Sequence, residues 1–291
     1  MSMMPVNLSE NLPLPSDPED YIGEVLGLPA QKGIDPSTSD FVCPFVNSEC
    51  TKRSTSLSEP YPVCSIRRGY TQICVCPKRF YQVDFLKDVV EHCWPGDAPA
   101  NAQIAREVKM KDFGNVDFVI ADVDDKGDIG QFLSVELQAI DITGTVMDAY
   151  QALRAGKQVD SKKSYGLNWS NVYKRYITQL IRKGYFHHHW GTKIVAVMQD
   201  VVYQYVKDWA DFMRSGDVRG NTVNIIFMSY RYEDDPENLG AKRFVLDEVE
   251  GTSHANLQQA VLYKEAPARD QFCSQIQKAL TRFLPMDDLF K

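Results

Sequence analysis

Apolar residues recur at helical spacing in six stretches of the chain. Side chains three and four residues apart lie on one face of a helix, so each stretch predicts a helix with one buried face. Ser170 is the expected N-cap of one of these helices. The predicted helices span 83–94, 101–110, Val146–Ala155, Asn171–Lys183, 201–213 and 269–284.

Four other stretches are rich in β-branched and aromatic residues, which favour strands. NVDFVIADV (115–123) and QFLSVELQAI (131–140) flank the turn sequence DDKGDIG and predict a β-hairpin. KIVAVM (193–198) and VNIIFMSYRY (223–232) predict further strands. We therefore expect an α/β (α+β) fold in which helices flank a mixed sheet.

The pattern divides the chain into three predicted parts. Residues 1–40 are rich in Pro, Ser, Asp and Glu, with a short possible helix near Tyr21–Leu26, and predict an acidic N-terminal arm or dimer-contacting extension rather than part of the core. Residues 41–80 are loop-rich and too poor in apolar residues to fold without a cross-link such as a structural metal. Residues 81–291 contain the periodic segments and predict the main domain.

Composition narrows the class of protein. The chain has 291 residues, 44% of them hydrophobic, which suffices for a substantial core. No apolar run is long enough to span a bilayer, and the N-terminus is too polar and acidic for a signal peptide, so we expect a cytoplasmic protein without membrane contact. In that reducing compartment, the five cysteines between Cys43 and Cys76 predict a metal site rather than disulfides.

The charge is unevenly distributed. The net charge of -7 at first argues against a nucleic-acid partner, because phosphate binding needs local positive charge. Residues 1–40, however, contain seven acidic residues and one basic residue, whereas residues 151–193 contain nine basic residues and one acidic residue. The second segment is therefore a candidate for contacts with nucleic acid.

The predicted hairpin carries two carboxylates that can meet. If it turns about Lys126–Gly127, Asp117 lies opposite Glu136. Opposite side chains of an antiparallel pair have Cβ atoms about 5 Å apart, close enough for both acids to bind one divalent cation. Gln138 lies two residues beyond Glu136 and hence on the same face, where it could orient an attacking water.

Asp117 followed on the hairpin by Glu136-x-Gln138 resembles the core of the PD-(D/E)xK nucleases. That resemblance implies that Asp117 and Glu136 bind Mg²⁺ and that Gln138 takes the position usually occupied by Lys; Val116 stands where Pro is usual. The E-x-Q variant is similar to the NotI-type restriction endonucleases. In this class a carboxylate of the preceding helix often completes the metal shell, and Glu107 is the candidate, the alternative being a solvated helix face.

The cysteine segment strengthens the resemblance. CPF (43–45), PVCS (62–65) and CPKRF (76–80) resemble the cysteine domain of the NotI-type enzymes, in which four cysteines hold iron. The resemblance carries the ligand role to Cys43, Cys50, Cys64 and Cys76, with Cys74 as the alternate to Cys76. Four thiolates would suit zinc equally well, and a shell filled by protein sulfurs is structural rather than catalytic.

The resemblance implies a type II restriction endonuclease of bacterial cytoplasm. It would hydrolyse double-stranded DNA at a specific, palindromic site with a Mg²⁺-activated water, and act as a homodimer because two-fold DNA matches a two-fold protein. The alternatives are a non-cleaving Cys-metal DNA-binding regulator with a decayed nuclease core, which Gln138 favours, and a modification-dependent or repair endonuclease.

The DNA contacts are predicted in two segments. Cations interleaved with the cysteines are candidates for base or phosphate contact, with scaffolding as the alternative, and the segment 151–193 adds aromatic and amide side chains. The run His187–His189 predicts a helix end in contact with solvent or phosphate; a metal site is the alternative, which adjacent side chains pointing in different directions disfavour. Cys93 and Cys273 are predicted core residues. The named candidates are Lys52, Arg53, Arg67, Arg68, Lys78, Arg79, Tyr165, Asn168, Trp169, Asn171, Tyr173 and Tyr176.

Overall fold

The computed structural model describes residues 10–54, 57–111, 114–144, 146–160, 162–264, 266 and 268–280. Fifteen strands lie in these ranges: β1 (Leu12–Pro13), β2 (Ile22–Val25), β3 (Leu28–Pro29), β4 (Val42–Cys43), β5 (Ser48–Glu49), β6 (Val63–Arg68), β7 (Thr71–Cys74), β8 (Ala102–Met110), β9 (Gly114–Val123), β10 (Ile129–Gln138), β11 (Ile142–Gly144), β12 (Ser164–Leu167), β13 (Lys193–Gln199), β14 (Ile225–Asp234) and β15 (Lys242–Thr252).

The described helices flank the strands. A π-helical turn, Asn171–Tyr176, leads directly into the third α-helix, and short 3-10 helices cover Pro18–Asp20, Pro36–Ser39 and Pro77–Gln82. No helix in the described ranges is long and apolar enough to cross a membrane. The α-helices are α1 (Phe85–Cys93), α2 (Met147–Arg154), α3 (Ile177–Trp190), α4 (Asp200–Trp209), α5 (His254–Leu262) and α6 (Arg269–Leu280).

A mixed sheet of six strands lies at the centre, in the order β15-β14-β13-β10-β9-β8. The pairs β10–β13 and β13–β14 are parallel, whereas β8–β9, β9–β10 and β14–β15 are antiparallel. Parallel strands need both faces covered, and β13 is buried along its whole length. The predicted α/β (α+β) class, with a mixed sheet flanked by helices, is confirmed.

The two faces of this sheet pack against different cores. Along β13, Ile194 and Ala196 belong to one buried cluster, and Val195 and Val197 belong to the other. The first cluster includes residues of α2, α3 and α4, and the second includes residues of α1. Successive side chains of a strand point to opposite faces, so residue parity decides which core each side chain meets.

Most predicted elements are confirmed near their expected bounds: the hairpin, the strands at 193–198 and 223–232, and the helices α1, α2 and α4. The helix predicted at Asn171–Lys183 begins as the π-helical turn and continues as α3 to Trp190. Ser170 is not an N-cap in the structure, because its backbone is already helical and its side chain makes no capping hydrogen bond. Residues 269–280 form α6, and residues 281–284 of that predicted helix lie outside the described residues. Cys273 is partly exposed, so its predicted core position is wrong, whereas Cys93 is buried as predicted.

The prediction of a helix at 101–110 is wrong. Residues Ala102–Met110 form β8, which pairs along its length with β9 at the edge of the central sheet. Ile104 and Val108, four residues apart, suggested a helical face, yet both are exposed. The ladder to β9 satisfies the backbone of this segment, and such pairing overrides a weak local propensity.

Residues 21–25 are also unlike the prediction. Ile22–Val25 form β2 of a four-stranded sheet, order β3-β2-β6-β7, instead of a short helix, and Tyr21, Ile22 and Val25 are fully buried. Glu24 on β2 forms a buried ion pair with Arg79, with Nη2 2.9 Å from Oε1. The expectation that this part of 1–40 lies outside the core is therefore wrong, because its apolar side chains complete the larger of the two clusters.

Candidate active site and cysteine cluster

The hairpin has the predicted register. Val135 pairs with Phe118, and Ser134 pairs with Val119, so the next positions along the ladder are Asp117 and Glu136. The Asp124 carboxylate accepts hydrogen bonds from the amides of residues 126 and 128, at 2.8 and 2.9 Å, which fixes the turn. Because Phe118 and Val135 enter the α1-side core, Asp117 and Glu136 lie on the opposite face, beneath α3.

Asp117 is half-buried and is held by the neighbouring strand. Its Oδ2 accepts a hydrogen bond of 2.7 Å from the backbone amide of Leu137. Burial raises the pKa of Asp117, and the nearby Glu107 carboxylate raises it further, while the Leu137 amide and Lys183 oppose the shift. A positive charge placed near Asp117 would therefore stabilise its ionised form.

Glu136 carries the stronger electrostatic strain. Its Oε1 accepts a hydrogen bond from the ammonium of Lys183, which also donates to the carbonyl of Asn115 at 2.7 Å. Burial raises the pKa of Glu136 to about 7 even though Lys183 lowers it, and Asp117 and Glu107 contribute to the rise. Asp117 and Glu136 thus repel each other across the two strands of the hairpin. The Lys183 ammonium, from helix α3, offsets part of this repulsion.

Glu107 lies beside these acids, although not on a helix. Arg106 pairs with Phe118 and Val108 with Val116, which places Glu107 across from Asp117 on the edge strand β8. Its side chain is exposed, and its Oε2 accepts a hydrogen bond of 3.2 Å from the side-chain amide of Asn115. Its φ of 51° is left-handed, an uncommon conformation for glutamate that changes the local direction of the strand.

Gln138 ends β10 on the same face and borders a cavity. Its side-chain amide donates to the backbone carbonyl of Ala139. The cavity has a volume of about 280 Å³ and is also lined by Arg175, Tyr176 and Gln179. Gln138 is therefore close to the acids along the strand and open to a neighbouring space that a ligand could enter.

Tyr176 lies at the end of the π-helical turn and faces the acids. Its hydroxyl is buried and has no hydrogen-bond partner among the described groups. Burial raises the pKa of Tyr176, and Glu136 and Asp117 raise it further. A π-helical turn often marks a functional position, and a buried phenol without a partner beside two acids is a group that a ligand or water could satisfy.

Four cysteines share a second cavity. Cys43, Cys50, Cys64 and Cys76 line a space of about 270 Å³, together with Lys52 and Lys78 and some apolar side chains. Burial raises the pKa of the Cys50 and Cys64 thiols, and the neighbouring Cys76 raises each further. Cys74 does not line this space; its thiol donates to the carbonyl of Cys76 at 3.2 Å and it packs in the α1-side core.

Neither cluster is a ready-made metal shell. In the described ranges, no three His, Cys, Asp or Glu side chains are placed so that they could hold a metal ion together. At the acids, Lys183 and the Leu137 amide each engage an oxygen that a cation would need. Ligation at this site therefore requires at least one side chain to change rotamer.

Several predicted DNA contacts are buried and serve the fold. Arg79 pairs with Glu24, and Trp169 stacks on Tyr205 with ring centroids 4.0 Å apart. His187 is buried as well and contacts Thr192, unlike the expected solvent-facing helix end. The predicted contacts that burial contradicts are Arg68, Arg79, Lys183, Lys193, Tyr165, Trp169 and Tyr176.

Sequence reasoning missed the roles of Lys183 and Tyr176. Both lie in the basic, aromatic-rich segment 151–193, for which the sequence predicts DNA contacts. The buried residues Ile177, Leu180 and Gly184 mark one face of α3, and Lys183 lies on that face. A lysine in line with an apolar helical stripe could therefore have pointed to a buried partner.

Comparison with known protein families gives a match over most of the chain. The family model described as "Restriction endonuclease NotI" matches residues 31–246 of the chain, a span that contains both the acids and the four cysteines. The chain matches no curated protein.

Proposed function

The chain belongs to the NotI restriction endonuclease family, and we propose that it hydrolyses double-stranded DNA with Mg²⁺ held by Asp117 and Glu136. The family implies a restriction endonuclease, that is, a hydrolase whose substrate is DNA. The observation that supports the metal proposal is the pair of partly buried acids on opposite strands whose pKa values are both raised, since a divalent cation would relieve their repulsion.

The donor set fits Mg²⁺. Carboxylate oxygens are its preferred protein ligands, and Mg²⁺ usually binds one or two carboxylates and retains waters. A divalent cation at this site would lower the pKa of a water and neutralise charge at the scissile phosphate. Asp117 and Glu136 would bind it, Glu107 would add a carboxylate from β8, and Gln138 would orient the attacking water through its amide.

The cysteine cluster fits a structural ion. Four thiols around one cavity, from β4, from β6 and from the segments that contain Cys50 and Cys76, can supply a tetrahedral sulfur shell, which iron and zinc both accept. Lys52 and Lys78 beside the cavity would offset the negative charge of four thiolates. Lys52 also donates to the carbonyls of Val63 and Val75, at 2.9 and 3.1 Å, so it joins β6 to the segment that follows β7.

A palindromic site, a homodimer and a cytoplasmic location complete the proposal. A two-fold dimer would place one site on each DNA strand of a two-fold sequence. We expect sedimentation at micromolar concentration to give twice the chain mass without DNA, and the mass of two chains plus one duplex with DNA. A monomer that cleaves both strands equally well would contradict the dimer and leave the cleavage proposal intact.

Cleavage of unmodified plasmid DNA tests the function. We expect discrete fragments with Mg²⁺ and none with EDTA, and sequencing of the fragment ends should give one recognition sequence. DNA binding without cleavage would indicate a regulator with a decayed core. Cleavage confined to methylated or damaged DNA would indicate the modification-dependent or repair alternative.

A further inference from the structure

We propose that Lys183 is the positioning residue that supplies, from helix α3, the positive charge that Gln138 cannot supply at the carboxylate site. This proposal rests on the proposed function and concerns the same acids. A glutamine carries hydrogen-bond donors and acceptors but no charge, so an E-x-Q strand lacks the cation that Lys would provide in that position. The structure brings a lysine to the site from another element.

The location of Lys183 is specific. Its side chain is about 4% exposed, and its ammonium bonds Glu136 Oε1 and the carbonyl of Asn115. These partners lie on β10 and β9, the two strands that carry the acids. A buried ammonium without a carboxylate partner is costly, so this contact is a determinant of where the side chain lies.

The approach of α3 to the sheet makes the contact possible. A Cβ on Gly184 would lie 2.6 Å from Ile225 Cγ1, so a larger residue there would push the helix away from the sheet. Glycine next to Lys183 thus lets the helix pack closely enough for the lysine stem to run over the sheet to Glu136. Ile177, Leu180 and His187 are buried on the same helical face and hold its rotation.

Lys183 is also the positive group acting on both acids. Glu107 and the acids themselves contribute negative charge, and Lys183 is the cation that favours the ionised form of Asp117 and of Glu136. Its ammonium engages Oε1 of Glu136 and leaves Oε2 as the oxygen for an incoming cation. Lys183 and a divalent cation must therefore compete in part for the same carboxylate.

This competition separates the proposal from a purely structural role. We expect Lys183→Met to lower the single-turnover cleavage rate at saturating Mg²⁺ by about 100-fold, the size seen when one preorganised electrostatic contact is lost. The same variant should bind Mn²⁺ or Tb³⁺ roughly fivefold more tightly, because a like charge has been removed. DNA affinity measured with Ca²⁺ should not change, since the buried lysine does not reach the surface.

A matched control and two further variants complete the test. Lys87→Met removes an exposed lysine from α1 on the far side of the sheet and should leave rate and metal affinity unchanged. If Lys183→Met does not fold, the cleavage rates of Lys183→Arg and Lys183→Gln test the proposal instead. The arginine variant should retain at least about a tenth of the rate and the glutamine variant about a hundredth. Equal rates in these two variants would overturn the proposal.

The outcome is separable from the failure of the proposed function. If Lys183→Met cleaves at the native rate while Asp117→Asn is inactive, the acids act without the lysine and the inference about Lys183 is wrong. If Asp117→Asn also cleaves normally, the carboxylate site itself is not the catalytic site.

Discussion

At the scale of single residues, the site is defined by charges that the fold leaves poorly neutralised. Burial raises the pKa of both Asp117 and Glu136, so each acid is less stable ionised than it would be in water. A purely structural hairpin would have no need of such a pair. Raised pKa values at two acids that lie opposite each other on neighbouring strands are typical of functional sites.

Replacing Asp117 tests that statement directly. Asp117→Asn keeps the shape but removes the charge, and we expect cleavage to fall by at least about 1000-fold, because a metal ligand and a charge are lost together. The free energy of unfolding of the metal-free protein should not decrease, since the ionised acid is disfavoured by burial. Asp125→Asn, at the exposed tip of the same hairpin, is the matched control and should cleave normally.

His187 gives a second prediction, on stability. Burial, and then the positive charge of Lys183, lowers its pKa to about 3, and its Nδ1 lies 2.5 Å from Thr192 Oγ1. The folded protein holds this histidine neutral, so its contribution to stability is complete above the unfolded pKa near 6.5 and is lost as the pH falls toward 3. We expect the shifted pKa of His187 to lower the free energy of unfolding by about 1.4 kcal/mol when the pH falls from 7.5 to 5.5.

Urea unfolding at the two pH values measures this effect. His187→Gln can still bond Thr192 but does not titrate, so the difference in stability between the two pH values should shrink by that amount. His189→Gln, in the exposed last turn of the same helix, should leave the difference unchanged. An unaltered pH dependence in His187→Gln would mean that folding does not lower the pKa of His187.

At the scale of elements, the sequence predicted the helices and strands whose conformation follows from the local pattern of apolar and polar residues. The hairpin register followed from alternation and the turn sequence, and it places Asp117 opposite Glu136 as predicted. The segment 101–110 was misassigned because Ile104 and Val108 have helical spacing, whereas its strand conformation depends on pairing with β9. Long-range pairing of this kind leaves no local mark on an edge strand.

The N-terminal strand shows the same limit of local pattern. Glu24 made residues 21–25 look polar and acidic, but its charge is paired with Arg79, 55 residues later in the chain. Arg79 also donates 2.6 Å to the carbonyl of Lys242 at the start of β15. One guanidinium thus joins the N-terminal sheet, the cysteine segment and the edge of the central sheet, and its partners could not be inferred from spacing.

Removing Arg79 should therefore destabilise all three elements together. We expect Arg79→Met to lower the free energy of unfolding by about 3–5 kcal/mol, because Glu24 is left buried without a partner. Lys32→Met breaks an exposed pair with Asp17 and should have little effect on stability, because solvent screens both charges. A cost for Arg79→Met no larger than that of the control would show that water reaches Glu24 readily.

The cysteine cluster makes a further prediction at this scale. Cys64→Ser should abolish stoichiometric binding of iron or zinc, measured by elemental analysis of the purified protein, because three thiolates remain of the proposed four. Cys74→Ser should retain the metal, since Cys74 lies outside the cavity. Loss of metal in Cys74→Ser with retention in Cys76→Ser would assign the fourth ligand to Cys74.

At the scale of the whole molecule, burial sorts the cations into two groups. Arg68, Arg79, Lys183 and Lys193 are buried and act within the fold. Lys174 and Arg175, on the π-helical turn, are exposed, and Arg175 borders the cavity next to Gln138. The local positive charge available to DNA is therefore smaller than the sequence suggested, and it lies close to the acids.

The salt dependence of DNA binding measures which cations reach the phosphates. Each phosphate contact adds about 0.9 to the slope of log affinity against log salt, so replacing both Lys174 and Arg175 with Gln should reduce the slope by about 2. Lys183→Gln removes the same kind of charge from a buried position and should leave the slope unchanged. If Lys183→Gln alone lowers the slope, the ammonium leaves Glu136 when DNA binds, and the division of cations by burial in the free protein does not hold in the complex.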